Sequence, residues 1–298
     1  MAKQLKPDSI TQPDLIEYLD GYSDFSFEIK TLRALVTLGF TCEHGGTYDD
    51  PATGKPREYD IRATRRMGKA FLRLAVECKN LRANFPLLVS CLPRRAEEAF
   101  HEVSYSYDPA KSRVIVSAGP TPLAMTPHSK SVRLEGSESL YSVGAPVGKS
   151  CDQVGRLQRG DAIESGDSDV YAKWSQALSS ADELTYLACS DGADRTGSCA
   201  VSIVLPLLVV PDGRLWETHY DANGNRSSDP RLVDRCSYFV NRKYYHRSPA
   251  GGDKLVISHL EFVTSNGLLK FLDDLCGDEA KIAALFPIEQ IEKRVRGT

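Results

Sequence analysis

The sequence predicts an α/β fold, with helices and β-strands layered in one domain. Some segments carry apolar residues at helical spacing and others alternate apolar with polar residues, and clusters of Gly, Pro, Asn and Asp separate them. Their order along the chain is helices, three strands, an irregular insertion, a helix and further strands, which is typical of a layered domain. The 298 residues are therefore interpreted as a single domain, 1–298.

The N-terminal part of the chain predicts two helices followed by three strands. The helices span residues 12–22 and 24–38, and the second has apolar residues every three or four positions and ends at Gly39. The predicted strands are Phe40–Glu43, Glu58–Ala63 and Phe71–Lys79. The segments between them, 44–56 and 64–69, are rich in turn-forming residues and predict loops.

Residues 85–165 predict an insertion, because Pro, Gly and Ser are frequent there and no period is sustained. Within it, Val114–Ala118 and Leu140–Val143 have the pattern of short strands. Regular patterning resumes with a helix over 168–188. The elements predicted after this helix are a strand pair, Ala200–Val210 and Leu215–Tyr220, joined by the turn 211–213, a strand at Leu255–Val263, and closing helices at Leu268–Leu275 and Glu279–Phe286.

Composition excludes several classes of protein. Apolar residues make up 41% and charged residues 26%, which is typical of globular proteins rather than disordered chains. The longest apolar run, Cys199–Val210, is shorter than the roughly 20 residues of a membrane span, and the N-terminal segment lacks the apolar stretch of a secretory signal. The eight cysteines include no Cys-x-x-Cys pair, which disfavours a zinc site. We expect a cytoplasmic protein with reduced thiols.

Positive charge is concentrated in two stretches, although the whole chain carries a net charge of −3. Residues 57–95 contain ten basic residues and three acids, a local net charge of +7. Residues 235–247 carry four positive charges, no acid and several interleaved aromatic residues. Such patches on a mildly acidic protein are typical of a surface that binds a phosphate backbone. The candidate nucleic-acid-binding residues are Arg62, Arg65, Arg66, Lys69, Arg242 and Lys243.

Two of the predicted strands bring acidic residues close together. Alternation along the third strand directs its apolar residues into a core and Glu77 and Lys79 to the opposite face. If the second and third strands form a hairpin, Asp60, or Glu58 on the same face, can meet Glu77 at one end. Adjacent carboxylates repel each other unless a divalent cation or a shared proton compensates. The pattern predicts a Mg²⁺ site suited to phosphodiester hydrolysis, with a lysine beside the attacking water.

These residues resemble the motif of the PD-(D/E)XK nuclease superfamily, which has the restriction-endonuclease-like fold. The residues that carry the resemblance are Glu28 on an early helix, Asp60 closing the sequence REYD, and Glu77-Cys78-Lys79 at the end of an apolar strand. The resemblance covers residues 24–80, and extends more loosely to the helix over 168–188 and the strand over 200–210. Tyr59 stands where the family motif has a proline.

The resemblance implies both a fold and a set of roles. The fold is a restriction-endonuclease-like core, a central mixed β-sheet flanked by helices, extended here by the insertion at about 85–165. The metal ligands that it implies for Mg²⁺ or Mn²⁺ are Asp60, Glu77, Glu28 and, through its backbone carbonyl, Cys78. Lys79 would assist the attacking water. Family members often carry Lys or Gln on the second core helix, so Lys173 and Gln176 are candidate accessories.

A competing motif lies at residues 189–197, which read CSDGADRTG and match the C-x5-R-T-G loop of cysteine-dependent phosphatases, resembling the myotubularin version closely. In such a loop Cys189 would attack phosphorus and Arg195 would hold the phosphate oxygens. Its context differs, because the preceding segment has helical spacing and the following one is β-branched and contains Pro206. Ala188 also stands where these phosphatases usually have histidine. A polar loop joining a helix to a strand is the favoured interpretation.

The function that the sequence favours is a metal-dependent endonuclease of a bacterial restriction or antiviral defence type, with DNA favoured over RNA as substrate. The alternatives are the cysteine-dependent phosphatase and a non-catalytic nucleic-acid-binding subunit of a defence complex. Because cutting both strands of a duplex usually takes two active sites, a homodimer is expected. A defence-system protein is a second candidate partner, and no membrane association is expected.

Overall fold

The N-terminal helices and strands form largely as expected. In the computed structural model, the described residues are 7–50, 53–107, 128–157, 162–166, 168–190, 199–245 and 254–296. The first elements are α1 (Gln12–Gly21), α2 (Phe25–Thr37), β1 (Thr41–Asp49), β2 (Pro56–Met67) and β3 (Ala70–Cys78). β1 and β2 continue into segments that were expected to be loops, because the ladder between β1 and β2 extends to Asp49 and that between β2 and β3 extends to Met67.

The region expected to be an irregular insertion contributes strands to the sheet. Those described are β4 (Leu87–Pro93), β5 (Phe100–Tyr107), β6 (His128–Glu135), β7 (Pro146–Arg156) and β8 (Ile163–Gly166). They were missed because several are short, seven residues in β4 and four in β8, and are separated by Pro, Gly and Ser, so that no period is sustained across the region. The segment Leu140–Val143, expected to be a strand, is instead a bend in which Tyr141 is buried. The expected strand Val114–Ala118 lies outside the described residues.

The C-terminal part contains one long helix, five strands and three closing helices in its described residues. They are α3 (Ser168–Ser190), β9 (Cys199–Val210), β10 (Leu215–His219), β11 (Arg231–Leu232), β12 (Arg235–Tyr245), β13 (Lys254–Thr264), α4 (Ser265–Cys276), α5 (Glu279–Leu285) and α6 (Ile288–Arg296). The expected pairing of β9 with β10 is wrong. β9 pairs with β3, β5 and β13, whereas β10 pairs with β4 and β11. The turn at 211–213 therefore carries the chain to a different part of the sheet.

The described strands join into one 13-stranded mixed sheet. Its main path is β1-β2-β3-β9-β13-β12-β7-β4-β10-β11, with β5, β6 and β8 paired beside it. β3, β9 and β13 run parallel to one another, while β1, β2 and β3 pair antiparallel. The predicted α/β class, with a central mixed sheet flanked by helices, is confirmed. None of the helices in the described part of the chain is both long and apolar enough to cross a membrane.

The sheet has an apolar core on each face, and β3 contributes to both. The β3 side chains directed towards α2 and α4 are Leu72, Leu74, Val76 and Cys78, as the alternation predicted. Ala75 packs on the other face, in the core that contains Ala177 and Ala181 of α3. Successive side chains of a strand alternate between faces, so Glu77 lies on the same face as Ala75. The strand therefore carries a carboxylate into the layer between the sheet and α3.

Candidate active site

The hairpin of β2 and β3 brings Asp60 and Glu77 together at its open end. Backbone pairing between the strands ends at Ile61 and Val76, so the next opposed positions are the two acids. At this end of the hairpin, hydrogen bonds from backbone N–H groups to the two carboxylates take the place of the backbone-to-backbone bonds. The Asp60 N–H donates to Glu77 Oε1 at 3.3 Å, and the Cys78 N–H donates to Asp60 Oδ2 at 2.7 Å. The expected convergence of the two carboxylates is thus observed.

A lysine from α3 lies against both carboxylates. Lys173 Nζ donates to Asp60 Oδ1 at 2.9 Å and to Asp60 Oδ2 at 2.8 Å, and lies 3.3 Å from Glu77 Oε2. Its neighbours one turn away, Val170 and Ala177, are fully buried in the core under α3. Lys173 therefore places a positive charge in the apolar stripe of this helix. Lys173, which the resemblance gave only as a candidate accessory, thus contacts both carboxylates.

Lys79, the lysine expected beside these carboxylates, is bonded elsewhere. Its Nζ donates to Asp24 Oδ2 at 3.1 Å, and the same aspartate accepts the Asn80 N–H at 2.7 Å. Asp24 directly precedes α2, so these bonds connect the end of β3 to the start of that helix. The contact expected of Lys79 is made instead by the lysine of α3.

Glu28 supplies a third carboxylate near the pair. Burial, followed by the negative charge of Asp60, raises the pKa of Glu28. Glu28 Oε2 also lies 3.4 Å from Nε2 of His44 on β1. The sulfur of Cys78 is fully buried in the core, so that residue offers the site its backbone alone. Its N–H faces Asp60, and the carbonyl of an extended residue points to the same side as its N–H.

Charge within the cluster is strongly coupled. Burial, and then repulsion from Asp60, raises the pKa of Glu77 well above its ordinary value. Burial alone would lower the pKa of Lys173, but the charges of Glu77 and Asp60 outweigh this effect and raise it. Lys173 therefore stays protonated. A proton or a cation at Glu77 relieves the repulsion that remains between the carboxylates.

Asp60 and Glu77 offer carboxylate oxygens, the ligand type that Mg²⁺ and Mn²⁺ prefer. Mg²⁺ typically takes one or two protein carboxylates and keeps several waters. Asp60 and Glu77 supply two carboxylates. Glu58, the alternative to Asp60, does not join them, because it is exposed and its carbonyl accepts the side-chain amide of Gln176.

Two of the candidate nucleic-acid-binding residues point into the protein. Arg62 is buried, where its guanidinium donates to Glu183 and, at 3.2 Å, to the carbonyl of Ser180, both on α3. Arg65 Nη1 lies 3.2 Å from the sulfur of Cys276 on α4. The outer surface expected from Arg62 and Arg65 therefore does not form, because strand alternation and the flanking helices draw both guanidinium groups inward.

The other candidates are exposed or line a cavity. Arg66 and Lys69 are exposed near the closed end of the β2–β3 hairpin, about 20 Å along the strand from Asp60 at 3.3 Å per residue. Arg242 and Lys243 line a cavity of about 900 Å³. The acidic residues that line the same cavity are Asp49, Asp50, Asp182 and Glu183.

Tyr48 connects this cavity to the carboxylate cluster. Its side chain lines the cavity, and its hydroxyl lies 3.5 Å from the carbonyl of Gln176 on α3. Burial, followed by the charge of Glu77, raises the pKa of Tyr48 to about 12. The cavity with Arg242 and Lys243 on its wall therefore adjoins the cluster.

The phosphatase-like motif begins at the wrong end of a helix for its chemistry. Cys189 is buried in the last turn of α3, and the next described element is β9, starting at Cys199. Arg195 lies outside the described residues. A phosphatase loop needs a helix N-terminus to stabilise its thiolate and bind phosphate, whereas a helix C-terminus disfavours negative charge. The segment expected to form a polar loop, 191–198, lies outside the described residues, so that interpretation stays a prediction.

Comparison with known proteins gives no match to this chain among family models, curated proteins or solved structures. The fold and the site together define an α/β protein with a buried carboxylate–lysine cluster at the end of a β-hairpin.

Proposed function

We propose that this protein is a metal-dependent nuclease of the PD-(D/E)XK type, which hydrolyses phosphodiester bonds of DNA. The observation that carries the proposal is the convergence of Asp60, Glu77 and Lys173. Buried ionisable groups with strongly perturbed pKa values are concentrated at functional sites. An exposed ion pair on a strand face would not need this degree of burial or mutual compensation.

The order of elements around the cluster supports a restriction-endonuclease-like core. Helix α2 is followed by β1, β2 and β3, and then, after the added strands, by α3 and β9. β9 lies beside β3 and runs parallel to it, and α3 packs against both strands. This order and packing support an assignment of α3 as the second core helix and of β9 as the fourth strand.

Asp60, Glu77 and Glu28 would hold a Mg²⁺ or Mn²⁺ ion. The ion supplies Lewis-acid polarisation of the phosphate and lowers the pKa of a bound water. A metal ion is included because an enzyme must lower the activation free energy of phosphodiester hydrolysis by on the order of 20 kcal/mol. One lysine provides far less than this.

Lys173 acts as a hydrogen-bond donor in this proposal. Its pKa is raised by the carboxylates around it, so it remains an ammonium group and cannot accept a proton from water. It stabilises the negative charge that develops on the phosphate oxygens, and it is already held in place by Asp60. Arg242 and Lys243 on the cavity wall contact the nucleic-acid backbone.

Cleavage of a supercoiled plasmid tests the proposal. We expect nicked or linear product with Mg²⁺ or Mn²⁺, none with EDTA, and none from Asp60→Asn. Glu58→Gln is the matched control, because Glu58 lies two residues away on the same strand but is exposed. Tight DNA binding without cleavage in any divalent metal would contradict the proposal and favour a non-catalytic subunit. Cleavage by Asp60→Asn at the wild-type rate would place catalysis elsewhere.

A further inference from the structure

A second cluster of buried ligand-type side chains lies in another part of the sheet. Cys91 on β4, Glu217 on β10 and Cys236 on β12 each offer one atom, and these atoms lie within 4.8 Å of one another. The three residues are 1%, 5% and 4% exposed, respectively. β4 and β10 are neighbouring parallel strands, whereas Cys236 comes from a strand further along the sheet. Three separate strands therefore converge on one point.

The separation of the two sulfurs matches that of two ligands on one metal ion. The Sγ atoms of Cys91 and Cys236 are 3.6 Å apart. A disulfide would need about 2.05 Å. Two thiolates that each lie about 2.3 Å from a tetrahedral zinc ion are about 3.8 Å apart. The thiols are thus spaced as zinc ligands without any movement of the strands.

The carboxylate of Glu217 is held in the way that metal-binding carboxylates are. Arg231 donates two hydrogen bonds to Glu217 Oε1, at 2.7 and 3.0 Å, and His219 Nε2 lies 3.1 Å from the same oxygen. Such outer partners orient a ligand and tune its basicity. Because all three contacts described here use Oε1, the other oxygen is available to a metal ion.

The charge of this cluster suits a dication. Two thiolates, a carboxylate and Zn²⁺ together carry one negative charge, which the adjacent guanidinium of Arg231 balances. Glu217 and Cys236 also line a cavity of about 430 Å³, which gives access to a further ligand.

We infer that Cys91, Cys236 and Glu217 bind one zinc ion, with a fourth coordination position open to this cavity. Binding releases the two thiol protons to solvent. Three protein ligands and one exchangeable position are typical of reactive zinc sites, whereas structural sites are closed by four protein ligands. β9, β13, β12 and β7 separate β3 from β4 along the sheet, so this site is distinct from the carboxylate–lysine cluster.

Zinc binding by the full chain under reducing conditions tests the inference. After EDTA treatment and dialysis, the protein is titrated with Zn²⁺, and with Co²⁺ to detect the thiolate-to-cobalt charge-transfer band. We expect one equivalent per chain in the wild type, an affinity at least about tenfold lower in Glu217→Gln, and loss of the band in Cys91→Ser and Cys236→Ser. Cys42→Ser is the matched control, since Cys42 lies on β1 at the far end of the sheet.

Serine at a buried cysteine position can itself unfold the chain, so circular dichroism accompanies each variant. A rise in the Tm of the unaltered wild type with added Zn²⁺ provides a second measurement. Failure of the folded, reduced wild type to bind zinc would overturn the inference. So would unchanged stoichiometry in the Cys91→Ser/Cys236→Ser double variant, or a Cys91–Cys236 disulfide in place of the metal. None of these outcomes involves DNA cleavage, so the proposed nuclease function is tested separately.

Discussion

Lys173 Nζ lies 2.8 Å from Asp60 Oδ2, and this contact joins helix α3 to the β2–β3 hairpin. The same amine lies 3.3 Å from Glu77, which is completely buried. Removing one partner of a buried charged cluster leaves the others uncompensated, so the three groups depend on one another energetically. The candidate site therefore depends on Lys173 of α3 as well as on the acidic residues of β2 and β3.

Replacing Lys173 by alanine should lower the rate of DNA cleavage by about 10²–10³-fold, the usual effect of losing one donor to a developing charge. Lys79→Ala is the matched control and should cleave at nearly the wild-type rate, because its amine is bonded to Asp24. Single-turnover rates at saturating Mg²⁺ measure both variants. A larger loss of cleavage rate in Lys79→Ala than in Lys173→Ala would contradict this prediction and indicate that Lys79 assists the reaction.

The conservative variant Lys173→Met should lower the free energy of unfolding by about 3 kcal/mol, because it leaves buried carboxylates without their cation. Adding Glu77→Gln should recover part of this loss, since it removes one of the uncompensated charges. Urea unfolding in EDTA gives the three free energies of a double-mutant cycle. Strictly additive effects would show that the two side chains do not interact.

Without metal, the wild type should lose stability as the pH rises above 4.5, the ordinary value for Glu77. The pKa of Glu77 is raised in the folded protein, so at these pH values the unfolded chain has released a proton that the folded chain still holds. Below 4.5 both states hold it and this cost is absent. Glu77→Gln should reduce the slope, and urea unfolding across the pH series measures it. An equal slope in the variant would contradict the raised pKa.

The double variant Arg242→Ala/Lys243→Ala should bind DNA more weakly and reduce the salt dependence of binding. Each phosphate contact that is lost lowers the slope of log affinity against log salt by about one. Arg66→Ala, at the closed end of the hairpin, is the control. Fluorescence anisotropy over a salt series measures both. Unchanged salt dependence in the double variant would show that the cavity wall does not contact the DNA backbone.

Cys189→Ser should leave DNA cleavage unchanged, and the wild type should release no phosphate from phosphomonoesters in EDTA. The thiol is buried at the C-terminal end of α3, where the helix dipole disfavours a thiolate. A phosphate-release assay with the wild type and the variant checks this. EDTA-resistant release that disappears in Cys189→Ser would establish the phosphatase instead.

The hairpin and its acids could be predicted from the sequence because they depend on local rules. Strand alternation specifies which face Glu77 occupies, and antiparallel pairing brings it opposite Asp60. The role of Lys173 could be suggested only by resemblance, because helical periodicity places this one lysine of α3 on the apolar stripe but does not show which carboxylates it contacts. The signal that the sequence does contain is a lysine between Val170 and Ala177 on the apolar stripe.

Long-range pairing explains the remaining differences. β9 and β10 were expected to form a hairpin because a turn joins them, but each finds its partners in distant segments. Cys91 and Cys236 lie on β4 and β12, so the absence of a Cys-x-x-Cys spacing carries no information about whether they meet. Arg62 belongs to a basic stretch, yet alternation turns it towards α3. Local charge counts do not show which face a side chain takes.

The most direct test of the carboxylate–lysine centre is anomalous scattering from a crystal of the full chain soaked in Mn²⁺. We predict a manganese peak bonded to carboxylate oxygens of both Asp60 and Glu77, with the Lys173 amine still beside Asp60. A well-ordered site in which that amine alone lies between the two carboxylates, with no manganese bonded to either, would contradict the account.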